Sequence, residues 1–238
     1  MAVLMEDTSL EAERFLVRQW LNSTPQKVRQ QLAGAWTCGC KLAGREVTVL
    51  DPLGVTQKIL DALTALEIPY LVGGSVASSL YGEPRYTQDT DIEVWPAPAQ
   101  LEELLVVIES EFYVSKEAAL EALRRRSSFN LIHFESQYKI DLFVSKNRPF
   151  DRCRAKRRRI PDGFPANFWV SSPDDMVLIK LEWYRSGRQL SDRQWRDVLA
   201  ILATQGSRLD FEYLRHWAAE LQVGDLLESA IQQTEPLG

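Results

Sequence analysis

Apolar and polar residues follow two different periods along the chain, and these periods predict where helices and strands lie. Residues 9–35 place apolar side chains at helical spacing, with an interruption at Pro25. The stretch that follows, residues 37–54, contains three glycines and is typical of a connection. We therefore predict a helical N-terminal extension over residues 1–54.

Helical and strand periods alternate between residues 55 and 165. Amphipathic stretches predict three helices there, and short runs rich in apolar residues predict four strands. In chain order these are helix 55–66, strand 69–72, helix 75–81, strand 91–95, helix 99–111, and strands 130–134 and 139–144. The last two strands are close enough in sequence to form a hairpin that turns at residues 135–138.

The remainder of the chain, residues 166–238, has only helical patterns. Ser172 precedes a proline and two acids, an arrangement that caps a helix N-terminus and suits its dipole. Ser191 starts another helix in the same way, and two further helical stretches follow. These are residues 211–221 and 225–231. We predict an α+β fold in which a core with a β-sheet, residues 55–165, precedes a helical C-terminal region.

Composition limits the class of protein. The chain has 238 residues, of which 45% are hydrophobic and 26% charged, so it can bury a core and is unlike a disordered polymer. Its apolar runs are too short to cross a bilayer, and four acids among the first 14 residues argue against a secretory signal. We therefore expect a cytoplasmic protein that makes no use of a membrane.

Cysteine usage fits the same compartment. The chain has an odd number of cysteines, namely Cys38, Cys40 and Cys153, so a disulfide framework is not expected. Cys38 and Cys40 are spaced closely enough to bind zinc together. However, His133 and His216, the two histidines of the chain, lie far apart and complete no second ligand pair. Reduced thiols are the simpler interpretation.

Positive charge is concentrated in one segment. The chain has a net charge of −5, yet six of the nine residues from Asp151 to Arg159, here called the basic strip, are basic. Such a strip attracts polyanions such as RNA or a nucleoside triphosphate. The alternative is a solvated loop whose arginines pair with surface carboxylates. A second basic run, Arg124–Arg126, either extends the strip or ends a helix with favourable dipole charges.

The sequence Gly73-Gly74-Ser75 directly follows the first predicted core strand. Two glycines let the backbone turn sharply and let phosphate oxygens approach bare N–H groups. Ser75 is predicted to cap the following helix, whose N-terminus favours an anion. The segment is thus typical of a phosphate-binding turn, although any tight strand-to-helix connection uses the same residue types.

Three aspartates lie in or just before the predicted strands. Asp89 and Asp91 project from one face of an extended segment, with their Cα atoms about 6 to 7 Å apart, and Asp141 interrupts a strand otherwise built for burial. Taken singly, an Asx turn explains the first pair and a paired core acid explains Asp141. If the two strands are neighbours, however, three anions meet and a cation between them relieves their repulsion. Magnesium prefers such oxygen ligands and binds nucleotide phosphates, so we predict a Mg²⁺ site on these aspartates.

Together these motifs resemble the DNA polymerase β-type nucleotidyltransferase superfamily. The resemblance is carried by the glycine turn, by residues 85–91 with the sequence Arg-Tyr-Thr-Gln-Asp-Thr-Asp, and by the strand Lys139-Ile140-Asp141-Leu142. Within the superfamily, the chain most resembles the bacterial AbiEii/MenT-like nucleotidyltransferases over about residues 55–220. The resemblance implies the nucleotidyltransferase fold, a small mixed β-sheet flanked by helices.

The resemblance also implies roles for the motif residues. Asp89 and Asp91 would hold two magnesium ions, and Asp141 would bind one of them and help deprotonate the attacking hydroxyl. Gly73–Ser75 would bind the nucleotide, with Ser75 and the Gly74 backbone holding the β- and γ-phosphates.

Three further nucleotide-binding residues follow from the family pattern. Lys180 would reach the triphosphate from a C-terminal helix, oriented by Asp197 on the next helix. The alternative is a snorkelling lysine beside a surface acid. Arg85 would touch phosphate or substrate.

We therefore expect a magnesium-dependent nucleotidyltransferase that moves a nucleoside monophosphate from an NTP such as ATP to an acceptor hydroxyl and releases pyrophosphate. The acceptor is the 3′ end of a tRNA, a protein or a small molecule. The rival interpretation is a non-catalytic nucleotide- or partner-binding component of a toxin–antitoxin pair, whose partner is the cognate toxin or antitoxin. Three converging acids count against the rival, because binding alone does not require them.

Two other features have structural interpretations. His133 faces the opposite side of its strand from Ile132 and is predicted to be structural. Trp183, Trp195 and Trp217 are predicted to pack together as interhelical core.

Overall fold

The computed structural model describes residues 52–83, 87, 89–187, 189 and 191–234. Arg85 and nearly all of the predicted N-terminal extension, including Cys38 and Cys40, therefore lie outside the described residues. The described elements are, in chain order, α1 (Pro52–Ala65), β1 (Tyr70–Val72), α2 (Gly74–Tyr81), β2 (Asp89–Val94), α3 (Pro98–Ile108), β3 (Phe112–Tyr113), α4 (Lys116–Arg125), β4 (Ser128–His133), β5 (Lys139–Val144), α5 (Pro149–Arg157), α6 (Pro173–Ser186), α7 (Asp192–Gln205), a 3₁₀ turn (Gly206–Arg208), α8 (Phe211–Glu220) and α9 (Gly224–Thr234).

The strands form one mixed sheet in the order β1-β2-β5-β4-β3, counted over the described residues. β2 and β5 run parallel, and the other neighbouring pairs are antiparallel. The prediction of an α+β fold with a small sheet flanked by helices is confirmed, as are the predicted helices and strands of the core within a few residues.

β3, α4 and α5 are not among the predicted elements. β3 is only two residues long, which is too short to show a period. α4 has a short apolar stripe that was overlooked, in which two alanines are buried and two leucines pack on the hydrophobic core of the sheet, namely Ala119, Ala122, Leu120 and Leu123. α5 buries Phe150 together with an acid and an arginine and has no apolar stripe. Arg124 and Arg125 lie in the last turn of α4, so the helix-ending alternative for this basic run is the correct one.

Strand alternation gives the sheet two unlike faces. On one face, β2 and β5 contribute the buried residues Thr90, Ile92, Val94, Ile140, Leu142 and Val144, which pack in a hydrophobic cluster with α1 and α3. Because successive side chains point to opposite faces, the other face of the same strands carries every second residue. These residues are Asp89, Asp91 and Glu93 of β2 and Lys139, Asp141 and Phe143 of β5.

The C-terminal helices bury a second hydrophobic cluster. α2 contributes to both clusters, since Val76 and Leu80 belong to the first and Ala77 to the second. It also contacts α6 and α7. The helix that follows the glycine turn is therefore held between the sheet and the C-terminal helices.

Local capping sets the predicted helix starts in the C-terminal region. The Ser172 side chain accepts a hydrogen bond from the Asp175 N–H at 3.2 Å, and Ser191 accepts one from the Gln194 N–H at 3.5 Å. Both predicted N-caps are confirmed. None of the helices within the described ranges is long and apolar enough to cross a membrane.

Much of the basic strip is tied to the protein itself. It is helix α5 and its end, so the solvated loop of the alternative is wrong, but the pairing of arginines with carboxylates that went with it is found. Arg154 is buried and pairs with Glu93, and Arg157 pairs with Asp174 at 3.1 Å. Arg158 lies 4.7 Å from the centre of the Trp169 ring. Three basic side chains of the strip remain exposed, namely Arg152, Lys156 and Arg159.

The histidine prediction is confirmed and the tryptophan prediction is partly wrong. His133 is buried and its Nδ1 lies 2.9 Å from the Ser136 hydroxyl. Trp195 and Trp217 pack against the second cluster, but Trp183 is 37% exposed. It leans toward Phe143 on the sheet, with ring centroids 5.5 Å apart, because its position on α6 faces the sheet surface and not the neighbouring helices.

Candidate active site

The glycine turn brings the start of α2 against β2. Gly74 has a φ of +57°, which favours glycine, and a Cβ atom placed on it would lie 1.7 Å from Oδ2 of Asp91. The Gly73 N–H donates to the Asp91 carbonyl at 2.9 Å. Gly74 is therefore required for the close approach of the Asp91 carboxylate, and Gly73 ties the turn to β2.

Ser75 lies inside the first turn of α2 and not at its cap. The N-cap residue is Gly73, which has no side chain with which to cap, and the helix begins at Gly74. The prediction that Ser75 caps this helix is therefore wrong. The two glycines move the helix start one residue earlier, because they adopt the turn without needing a capping side chain.

The structure brings the three aspartates together. β2 and β5 are parallel neighbours, with Asp91 directly opposite Asp141 and Asp89 directly opposite Lys139. All these side chains point to the face of the sheet away from the first cluster. The expected pairing of the two strands is confirmed, and it depends on a long-range register that no local pattern determines.

Hydrogen bonds from two threonines hold β2, the strand that carries Asp89 and Asp91, in position. Thr90, between the two aspartates of β2, points to the buried face and hydrogen-bonds to Thr56 of α1 at 2.9 Å and to the Tyr138 hydroxyl at 3.0 Å. Thr87 donates to Oδ1 of Asp89 at 3.0 Å, which orients that carboxylate. Sequence reasoning missed both threonines. Their signal was the Thr-Gln-Asp-Thr-Asp sequence, in which Thr87 lies two residues before Asp89 and Thr90 lies between the two acids.

Lys139 is a site residue that sequence reasoning also missed. Its Nζ lies 2.7 Å from Oδ2 of Asp141 and 3.6 Å from Oδ2 of Asp89. The hydrogen bond to Asp141 raises the pKa of Lys139 above its ordinary value. The available signal was its position two residues before Asp141, which places both side chains on one face of β5.

The electrostatic balance of the site is unfavourable at Asp91. Burial raises the pKa of Asp91 to about 6, and the carboxylates of Asp89 and Asp141 contribute to the rise. The ammonium groups of Lys180 and Lys139 oppose it. An additional cation near Asp91 would therefore stabilise its ionised form.

Lys180 and Asp197 form a buried pair across α6 and α7. The Lys180 Nζ donates to Oδ2 of Asp197 at 2.7 Å, and the two residues are 2% and 8% exposed. The alternative of a snorkelling lysine with a surface acid is therefore wrong. Lys180 also acts electrostatically on Asp91, so the pair supports the acid site from the helical side.

The three aspartates are the type of ligand that magnesium prefers, although the Lys139 ammonium lies between two of them. Three carboxylates supply the hard oxygens that Mg²⁺ prefers. Within the described ranges, however, no three His, Cys, Asp or Glu side chains are already grouped for a metal ion. The Lys139 ammonium lies between Asp89 and Asp141, so a metal ion shared by these acids requires that ammonium to move.

On the sheet face that carries the aspartates, the C-terminal halves of β2 and β5 are covered by helices. Glu93 of β2 pairs with the buried Arg154 of α5, and Phe143 of β5 packs against Trp183 of α6. The acids in the first halves of β2 and β5 remain partly exposed, with 35% for the Asp89 side chain and 19% for that of Asp141. The candidate site is thus a partly open region of the sheet, next to the glycine turn and beside the C-terminal helices.

No family model and no curated protein matches the chain at a significant level. Among solved structures, the chain is similar to the antibiotic-resistance factor ANT(2″)-Ia, with 16% identity, a TM-score of 0.49, and 77% of this chain and 100% of that chain covered. A nucleotidyltransferase-like protein from Paracoccidioides brasiliensis has 16% identity and a TM-score of 0.45, covering 75% and 91% of the two chains.

A lincosamide antibiotic adenylyltransferase is similar at 15% identity, with a TM-score of 0.39 and with 63% of this chain and 95% of that chain covered. At these identities and TM-scores, the likenesses by themselves establish neither a family nor an activity for this chain.

Proposed function

We propose that the chain is a magnesium-dependent nucleotidyltransferase of the DNA polymerase β type, which moves a nucleoside monophosphate from an NTP to an acceptor hydroxyl. One observation carries the proposal. Asp91 and Asp141 face each other on adjacent parallel strands, and the Asp91 carboxylate lies against the bare Cα of Gly74. Two acids directly opposite each other, beside a residue that must lack a side chain, do not form a structural ion pair, because neither supplies positive charge.

In this proposal, Asp89, Asp91 and Asp141 hold the magnesium ions. When bound, magnesium supplies positive charge that polarises the α-phosphate and lowers the pKa of the acceptor hydroxyl. The threonine contacts from behind hold the acids in place before substrate arrives, so little reorganisation is needed.

The chain's residues then divide the work of the transfer. The acceptor oxygen forms a bond to the α-phosphorus, the bond from that phosphorus to the β-phosphate oxygen breaks, and pyrophosphate leaves with the electron pair. The Asp141 carboxylate takes the proton of the acceptor hydroxyl. Ser75 and the Gly74 backbone hold the β- and γ-phosphates, because the start of α2 favours an anion.

Lys180 contributes through charge rather than through an exposed contact. It is buried and held by Asp197, and its field reaches Asp91. We expect it to reduce the cost of negative charge at Asp91 and on the leaving pyrophosphate. Arg85 would reach phosphate or substrate from the segment before β2.

One observation favours a second candidate, a protein that binds nucleotide or a partner without turnover. In the metal-free chain, Lys139 already neutralises part of the acid set, as it would in a member that no longer uses metal. This candidate would be the non-catalytic component of a toxin–antitoxin pair, and it predicts nucleotide binding without transfer.

The two candidates are separated by incubating the pure protein with each α-³²P-labelled NTP and MgCl₂, with and without bulk tRNA. The enzyme transfers label to RNA, to protein or to a small acceptor, and Asp91→Asn and Asp141→Asn abolish transfer. Glu109→Gln, which changes the exposed acid at the C-cap of α3, is the matched control and keeps full transfer. Nucleotide binding without transfer of label in any arm rejects the proposal in favour of the second candidate.

The same assay addresses the acceptor. Label at the 3′ end of tRNA supports the finer resemblance to AbiEii/MenT-like proteins, whereas label on protein or on a small molecule points to another branch. If RNA is the acceptor, we expect the exposed strip residues Arg152, Lys156 and Arg159 to contact it, because Arg154 and Arg157 are paired within the protein.

A further inference from the structure

The acid site contains a cation that belongs to the chain. Lys139 lies directly opposite Asp89 across the β2–β5 pair and two residues before Asp141 on its own strand. Its Nζ is 2.7 Å from Oδ2 of Asp141 and 3.6 Å from Oδ2 of Asp89. A single ammonium thus bridges two of the three acids from different strands.

The Lys139 ammonium and a divalent ion compete at the Asp141 carboxylate. A carboxylate oxygen has lone pairs for both partners, but a divalent ion about 2.1 Å from Oδ2 of Asp141 and an ammonium 2.7 Å from the same oxygen would lie no more than about 5 Å apart. At that separation the two cations repel each other strongly, so the binding of one weakens the binding of the other.

Lys139 is free to leave, unlike the other cation of the site. Its side chain is 40% exposed, and four rotatable carbon–carbon bonds connect the ammonium to the strand. Lys180, by contrast, is 2% exposed and held by the buried Asp197. Only small free energies hold a pair that is this exposed, so a divalent ion can replace it.

We propose that Lys139 is a tethered counter-cation that holds Asp89 and Asp141 together in the metal-free protein and is displaced when a divalent ion binds. This inference rests on the proposed function, because it needs the acids to be metal ligands. Lys139 is then a positioning residue, because its ammonium prevents the repulsion between the Asp89 and Asp141 carboxylates from moving them apart. The same ammonium weakens metal binding, because the metal ion has to displace it.

The test measures binding of Mn²⁺ alone, by electron paramagnetic resonance titration of the full chain. Lys139→Met is expected to tighten Mn²⁺ binding by about 2- to 5-fold, the upper part of the range given by loss of one partly exposed ion pair. Lys139→Arg retains the charge and is expected to stay within about 2-fold of the unsubstituted protein. Lys146→Met, an exposed lysine beyond the far end of β5, is the matched control and is expected to leave the affinity unchanged.

Urea unfolding gives a second readout that an ordinary structural role would not produce. Without metal, Lys139→Met lowers the unfolding midpoint, because three acids lose their nearest counter-charge. With saturating MgCl₂ the midpoint returns to that of the unsubstituted protein or rises above it. An equal loss of stability in both conditions, or unchanged Mn²⁺ affinity, overturns the inference.

Failure of this inference and failure of the proposed function give different results. If Mn²⁺ binds equally to the unsubstituted protein and to Lys139→Met while labelled nucleotide is transferred, the enzyme stands and the counter-cation does not. If Lys139→Met binds Mn²⁺ more tightly but no protein transfers label, the counter-cation stands and the enzyme does not. Absence of Mn²⁺ binding in every variant overturns both.

Discussion

Asp91 and Glu93 lie two residues apart on β2 and on the same face of the sheet, but the protein treats their charges differently. Glu93 pairs with Arg154, which is buried for that purpose on the inner side of α5. Asp91 faces two other acids, and its pKa is raised to about 6 by burial and by those acids. The fold therefore neutralises one acid completely and leaves its neighbour in need of positive charge.

Along β2, therefore, Glu93 contributes to the stability of the fold, whereas Asp91 is available for chemistry. Where β2 is covered by the C-terminal helices, an unpaired charge would only cost stability, and the chain supplies a dedicated arginine. Where the strand is partly open, the unfavourable balance at Asp91 is retained, which is typical of functional sites.

The largest expected effect is on transfer at the open end. Asp91→Asn preserves side-chain shape but removes a metal-binding carboxylate, so we expect transfer of nucleoside monophosphate to fall by about 10³-fold or more. The rate of label transfer from the preferred NTP at saturating MgCl₂ measures it. Full activity in Asp91→Asn would contradict the assignment of a functional role to Asp91 and a structural role to Glu93.

At the closed end, the effect is on stability. Glu93→Gln leaves the buried Arg154 without its carboxylate, so we expect a loss of about 3 to 5 kcal/mol in the free energy of unfolding. Urea unfolding measures this loss. A midpoint close to that of the unsubstituted protein would mean that the pair is not required in the fold. Glu109→Gln, which removes an exposed acid, serves as the control.

Gly74→Ala tests the contact that joins the glycine turn to the acid site. The added methyl would collide with Oδ2 of Asp91 in a left-handed backbone conformation, so we expect a loss of about 2 kcal/mol or more and a loss of transfer. Gly73→Ala is the matched control, because a Cβ there meets no atom within 4 Å. Equal losses of stability in the two variants would contradict the contact; transfer is not compared between them, because Gly73 is itself a proposed nucleotide-binding residue.

The charge balance of Asp91 predicts a pH dependence of stability. The folded pKa of about 6 lies above the ordinary value of 3.8, so the folded state binds the proton of Asp91 more tightly than the unfolded state and loses stability as pH rises through this range. Asp91→Asn should therefore stabilise the metal-free protein by about 1 to 3 kcal/mol at pH 8, and this gain should vanish toward pH 4. Urea unfolding in EDTA at several pH values measures it. A gain that is independent of pH would exclude titration of Asp91 as its cause.

The smallest expected effect concerns the outer side of α5. Replacing Arg152 and Lys156 by Gln should change the free energy of unfolding by less than about 0.5 kcal/mol, because both side chains are exposed. If RNA is the acceptor, the same change should reduce the slope of log Kd against log salt by about 1 to 2. Filter binding of bulk tRNA at several salt concentrations measures the slope. Replacing the buried Arg154 by Gln should instead lower the stability of the protein. Helix α5 would then show the same contrast as β2, between a charge needed for the fold and charges that are not.

Local signals account for the parts of the fold that sequence reasoning predicted. Ser172 and Ser191 cap their helices through bonds that span three residues, and such bonds are visible in the sequence. β5 is predicted to its exact ends because its apolar residues, interrupted by Asp141, are bounded by the polar residues Lys139 and Ser145. β3 and α5 lack such signals, since one is too short and the other has no apolar stripe.

The sequence by itself determined that three aspartates stand at outward positions of two strands and that a glycine turn precedes them, because strand alternation and glycine turns are local properties. Only the tertiary structure decided that Asp91 lies opposite Asp141, that Gly74 admits the Asp91 carboxylate, and that Arg154 is buried against Glu93. The position of Lys139 between two acids was decided there as well. These contacts join residues that are distant in the chain, and strand order and register, which local patterns do not encode, bring them together.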